Sequence, residues 1–232
     1  MAADNSSETT THPPPIQAGR VASRSEAGPL VPVTARGEAT KRRILDAAEE
    51  VFGELGYYEA SVSEITRRAG VAQGTFYIYY HSKREIFEEL VSDLGERLRA
   101  ATRVAIAGAT SRHETERRGF KAFFQFVTQH RQLYHIIQEA ERVAPQVADA
   151  YYQRIAHGYV HGLRAAMDAG EIPETSPEAL AYALMGIGHF IALRWLIWPR
   201  ESGAEPQIPD EVIDAVLAFI ARGLSPSVPS AQ

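Results

Sequence analysis

Not one cysteine occurs among the 232 residues. Disulfides, cysteine-ligated zinc, iron–sulfur clusters and thiol redox sensing are therefore excluded. Strand-like alternation of apolar and polar residues is missing as well, and no internal repeat is found. The phosphate cradles and nucleophile elbows of common enzymes are also lacking. There is no P-loop and no GxSxG, and the nearest approach to GxGxxG is Gly186-Ile187-Gly188. His113-Glu114 opens an HExxH-like pattern, but Arg117 stands where the second histidine belongs. The chain is not expected to be an enzyme, and no cofactor is implied. Its first residues, MAADNSSETTTHPPP, lack the basic and apolar regions of a secretory signal, so a cytoplasmic location is expected.

What is present is an ordinary globular composition, 45% hydrophobic and 23% charged. The length suits one large domain or two modest ones. The net charge of −5 argues at first against nucleic acid, but it is unevenly spread. Residues 34–84 carry eight basic and seven acidic side chains, whereas 85–232 carry fourteen and nineteen. An acidic body with a slightly basic head can bind DNA if the basic residues share one surface. Residues 1–36, rich in Ser, Thr, Ala and Pro, read as a disordered tail in which Arg20, Arg24 and Arg36 could touch phosphates.

Beyond the tail the pattern is helical throughout. Ile44, Ala47, Ala48, Val51, Phe52 and Leu55 recur at helical spacing, with Gly56 as a natural stop. Ser61 and Glu64 form a capping box that opens a second helix ending before Gly70. A short third helix spans about 73–80, and Ser82 caps a fourth that carries Ile86, Leu90, Leu94 and Leu98 on one side. Further helices are expected near 113–129, 131–142, 145–169, 177–198 and 210–222. Gly170 and Gly223 are placed just past helix ends, and Pro177 and Pro209 in first turns. The fold class is all-α.

The informative stretch is Ser61 to Lys83, SVSEITRRAGVAQGTFYIYYHSK. A short helix, the turn Ala69-Gly70-Val71-Ala72 and a second short helix make a helix-turn-helix, with Val71 plugging the angle. The second helix is then free to lie in a major groove. The run from Gly70 to Lys83, with Ile44-Leu45-Asp46-Ala47-Ala48, Phe52 and Gly56-Tyr57 upstream, closely resembles the signature of the TetR (tetracycline-repressor-like) family of bacterial regulators. One departure is Ala72, where a Ser often caps the recognition helix. The resemblance implies a DNA-binding domain over 37–83, a ligand-binding and dimerisation domain over 84–225, and a flexible end over 226–232.

Gln73 at the start of the recognition helix could pair with an adenine edge, and Gly74 would let the backbone come close to DNA. Thr75 offers a hydroxyl and a methyl. Phe76 and Tyr80, four apart, are read as core. Tyr77 and Tyr79, as the family resemblance implies, would reach phosphates, though Tyr79 could instead be partly buried. Lys83, Ser61 and Ser63 at helix starts are further phosphate candidates. So are Lys41 and Arg43, in a cluster with Arg42. Arg67 and Arg68 could extend that surface.

The segment from Ala179 to Trp198 is apolar nearly all round, but His189 and Arg194 interrupt it, so a buried helix is favoured over a membrane span. With the final helix (Val212, Val216, Ile220) it could form half of an intersubunit four-helix bundle, the usual dimer interface of the family. Gly186 and Gly188 would permit close helix approach. A homodimer on a roughly palindromic double-stranded operator, most naturally as a repressor, is expected. In the family a small molecule bound in the C-terminal domain releases DNA. An apolar, aromatic cavity for a hydrophobic effector, fatty-acyl or drug-like, is expected from Phe124, Tyr134, His135, Gln138, Tyr151, Ile155, Tyr159, His189, Arg194 and Trp195. Arg194 would hold an acidic group of the ligand or form an intramolecular ion pair. The alternative is an effector-independent dimer whose second domain only dimerises or meets a protein partner. His157 and His161, four apart, have metal-like spacing but no third ligand, and are read as a solvated face.

Overall fold

A computed structural model describes residues 34–198 and 206–225, and every regular element among them is helical. In chain order these are α1 (Ala35–Glu59), α2 (Val62–Ala69), α3 (Gln73–Tyr79), α4 (Lys83–Ile106) and α5 (Arg112–Gln129). Then follow α6 (Gln132–Val143), α7 (Pro145–Asp168), α8 (Pro177–Ala192) and α9 (Asp210–Leu224). The all-α expectation holds.

Local chemistry sets the boundaries. Thr34 accepts a hydrogen bond from the Gly37 amide at 3.1 Å and starts α1 at Ala35, so the helix claims the last residues read as tail. Arg20, Arg24 and the end over 226–232 lie outside the described residues. Gly56 breaks the regular turn of α1 with φ +75°. Ser61 and Ser82 cap α2 and α4 through the amides of Glu64 and Glu85, both at 3.1 Å. Ser111 and Ser176 do the same for α5 and α8, two caps the sequence reading passed over.

Three boundaries differ from expectation. Gly223 is not a helix stop, because α9 continues through Leu224. Pro209 caps α9 instead of standing in its first turn. The apolar run of α8 closes in a π-helical turn, Leu193–Ile197, sealed by a 2.8 Å bond from the Trp198 amide to the Leu193 carbonyl. The extra residue in that turn rotates the end of the helix away from its earlier course.

Two apolar clusters organise the packing. The first joins Ile44, Phe52, Ile65, Phe76 and Tyr80 of the head to Ile86, Phe87, Leu90 and Leu94 of α4 and to Ile136, Ile137 and Ala140 of α6. It crosses Lys83 without interruption, so head and body share a core. The second joins α5, α7, α8 and α9 through Phe120, Leu163, Leu184, Leu193, Leu217 and Ile220.

Candidate nucleic-acid interface and ligand cavity

The helix-turn-helix forms as its residues dictate. Gly70 adopts φ +64°, which turns the chain out of α2, and the Val71 amide returns to the Thr66 carbonyl at 3.1 Å. Val71 packs against the first cluster. Phe76 and Tyr80 are fully buried, which leaves Gln73, Gly74, Tyr77 and Ile78 on the exposed side of α3, with Tyr77 50% exposed. Ala72 supplies no side-chain cap. A methyl group on Gly74 would meet nothing within 4 Å, so the protein itself does not require a glycine there. Thr75 and Tyr79 are half-buried, Tyr79 against the core. Ser61 and Ser63 are exposed, although the Ser61 hydroxyl already caps α2.

The basic residues divide into those the protein uses and those it leaves free. Lys83 belongs to the first kind. Its ammonium donates to the carbonyls of Tyr57, Ala60 and Tyr58 at 2.6, 2.7 and 3.2 Å and lies 4.6 Å from the Tyr57 ring centroid. All three protons are occupied in holding the chain that leaves α1. Lys41 is paired with Glu89 at 2.8 Å over the Tyr80 ring, and Arg42 with Asp46 and Asp93. Arg67 and Arg68 converge on Glu64, whose carboxyl they pull down to about 2 by hydrogen bonding, Arg67 first. Arg43 is exposed and has no ion-pair partner among the described residues.

The body holds a cavity of about 860 Å³ between α4, α5, α6, α7 and α8. Six of the ten expected residues line it: Tyr134, Gln138, Tyr151, Ile155, Tyr159 and His189. Burial lowers the His189 pKa below its usual value, with Glu141 opposing, and its ring stacks on Tyr134 at 5.4 Å. The other four do not line it. Phe124 is buried in the second cluster, where its ring meets Phe120 and Phe123. His135 is exposed, because adjacent helical positions point about 100° apart and Tyr134 takes the inward one. Arg194 is exposed on the π turn and Trp195 only flanks the second cluster, the guanidinium standing 5.5 Å from the indole. Arg194 has no carboxylate partner among the described residues, so the expected ion pair is not seen either.

Sequence reasoning missed the buried pair of the cavity, Arg112 and Glu116, whose side chains are 8% and 2% exposed. Their i,i+4 spacing was legible, but it is equally that of a surface pair. Arg99 and His161 line the cavity too, while His157 is exposed. No group of three metal-binding side chains occurs among the described residues. Gly188 permits the close helix approach expected of it. A Cβ there would sit 3.4 Å from Phe120 and Phe123, so it admits α5 within the same chain; Gly186 faces open space.

Two helices join cavity and head: α4, which carries Lys83 and Leu90 at the head and Leu98 to Ile106 at the cavity, and α6. α6 presents Tyr134, Ile137 and Gln138 to the cavity and Glu139 to α1. The Glu139 carboxylate accepts from the Tyr57 amide at 2.7 Å, and a side chain on Gly56 would come within 2.7 Å of it. A methyl on Gly53 would overlap Gln132, so α6 lies flush on α1. Nearby, Glu49 of α1 meets Arg97 at 2.8 Å and His130 at 3.0 Å.

Comparison with known proteins agrees with this architecture. Residues 44–90 match the profile of the bacterial regulatory proteins of the tetR family. The chain is 35% identical over 195 residues to the HTH-type transcriptional activator FasR of Mycolicibacterium smegmatis, covering 79% of this chain and 82% of that protein. It is 24% identical over 190 residues to the HTH-type regulator YhgD of Bacillus subtilis, covering 80% and 96%. The solved structure of the fatty acid degradation regulator FadR from Bacillus halodurans superposes with a TM-score of 0.66 at 19% identity, covering 86% of this chain and 99% of that one.

Proposed function

Since the chain belongs to the tetR family of bacterial regulatory proteins, and is a DNA-binding transcriptional regulator, we propose that it acts as a homodimer whose operator affinity is set by a small apolar effector. The head over 37–83 would bind DNA, and the body over 84–225 would dimerise and hold the effector. The observation that carries this is the double role of α6, which walls the cavity with one side and grips the Tyr57 amide with the other. A ligand that favours one setting of α6 would bias the pose of the head by its differential affinity for the two states.

On the DNA side, Gln73, Gly74, Thr75 and Tyr77 are the proposed groove and phosphate contacts, with Arg43, Ser61, Ser63 and Tyr79 along the backbone. Two heads related by a twofold axis call for half-sites about 34–36 Å apart or slightly more. The dimer is supported by apolar side chains left uncovered on α8 and α9, where Phe190 and Phe219 are each 62% exposed. The same reading accounts for the segment Pro177–Ile197, which is long and apolar enough to cross a membrane. A partner subunit would cover it instead.

Release of DNA by the effector, hence repression, is the favoured direction. The relative FasR is an activator, which supports a second reading in which the bound dimer promotes transcription. Selection of duplexes from a random pool, followed by anisotropy titration, tests the scheme. A twofold-symmetric site is expected, with Tyr77→Phe weakening it and leaving dimerisation intact. Affinity that no cavity-binding compound alters would instead favour the effector-independent dimer.

A further inference from the structure

Arg112 is an expensive residue to keep where it is. Its side chain is 92% buried, counting from its 8% exposure, in a mainly apolar cavity whose polar lining includes Arg99, Glu116, Gln138, His161 and His189. Glu116 takes one terminal nitrogen, and the Tyr159 ring lies 5.9 Å from the guanidinium carbon. The Nε atom is buried with no hydrogen-bond partner among the described residues. Gly162 stands where a Cβ would come within 2.9 Å of the other terminal nitrogen, so α7 leaves room around the fork. A buried donor without an acceptor destabilises the protein, and an Arg fork matches a carboxylate's two oxygens.

We propose that Arg112 anchors the acidic end of the effector, a carboxylate-bearing amphiphile whose hydrocarbon body runs along Tyr159, Ile155 and Tyr151. The inference rests on the effector reading above and narrows it to a chemical class. Glu116 keeps the guanidinium oriented while the cavity is empty, and it becomes a competing negative charge once the ligand's carboxylate arrives. Burial already raises the Glu116 pKa, against the opposing pull of Arg112, so its charge is the one most readily given up. Arg99 is the rival anchor. It lies at the Tyr151 end with a buried, unpartnered Nη1, but its side chain is 24% exposed and already holds Glu96. Water can serve it.

The test is displacement of Nile red from the full-length protein by a long-chain saturated acid, its methyl ester and its alcohol, matched in length. The acid is expected to displace the dye at a concentration at least about tenfold below the ester, as a charge-assisted hydrogen bond implies. Glu116→Gln is expected to widen that gap, and Arg112→Gln with Glu116→Gln to close it, with the ester unchanged in both. The ester therefore reports on cavity integrity in each variant, and the wild-type comparison stands even if a variant misfolds. Equal potency of acid and ester in the wild type overturns the inference while leaving an apolar effector standing. So does a preference that survives the double variant and vanishes in Arg99→Gln. Displacement by none of the three overturns the effector reading itself, and the anchor with it.

Discussion

Gly74 stands in the first turn of α3 without a positive φ and with open space where a Cβ would be. Alanine there should stabilise the protein by up to about 1 kcal/mol through helix propensity. If α3 enters a groove, the same methyl should weaken operator binding, so melting and anisotropy should move in opposite directions. Lys83 and Arg43 make a second contrast. Lys83→Met gives up three carbonyl contacts and should cost about 2 kcal/mol in a denaturant titration, with the salt dependence of DNA binding unchanged. Arg43→Ala should leave stability within about 0.5 kcal/mol and lower the salt slope by about one. His189 offers a pH test. Its folded pKa is depressed, so the stability it contributes is present above the unfolded value and lost as pH falls through the folded one. Between about pH 7 and pH 5, wild type should lose more stability than His189→Gln.

At the scale of elements, α6, like α4, touches both the cavity and the head. Glu139 is its grip on α1, holding the Tyr57 amide at the point where Gly56 breaks the helix. Glu139→Ala leaves that amide without its acceptor and should cost about 1.5–3 kcal/mol, the range for a hydrogen bond to a charged group. Faster hydrogen exchange at Tyr57, with the cavity-facing residues of α6 unaffected, is the measurement that checks it. Existence and type of this element were legible in the sequence. Its role was not, because Glu139 reads as one more surface carboxylate until the fold places it beside a residue 82 positions away.

For the whole molecule the decisive quantity is the apolar surface that a single chain leaves bare on α8 and α9. Phe190 and Phe219 belong to helices otherwise built into the second cluster. Their simultaneous replacement by glutamate should yield a monomer in light scattering with unchanged helical circular dichroism. Operator affinity should fall by at least about a hundredfold, since one head then binds without its twin's effective concentration. A variant that remains dimeric would move the interface elsewhere on the body.

The sequence by itself determined the helix-turn-helix, because each of its parts is local. Ser61 caps the amide three residues on, Gly70 alone supplies the left-handed turn, and the four-residue spacing of Phe76 and Tyr80 buries both while exposing Tyr77. Helix periodicity likewise placed the apolar stripe of α7. Only the tertiary structure decided how that stripe is divided, with Tyr151, Ile155 and Tyr159 on the cavity and Leu163 in solid core. It also decided that Lys83 serves the protein's own carbonyls and that Arg112 with Glu116 is buried. Periodicity names the face a residue occupies; what lies opposite that face is set by chain that packs there from tens of residues away.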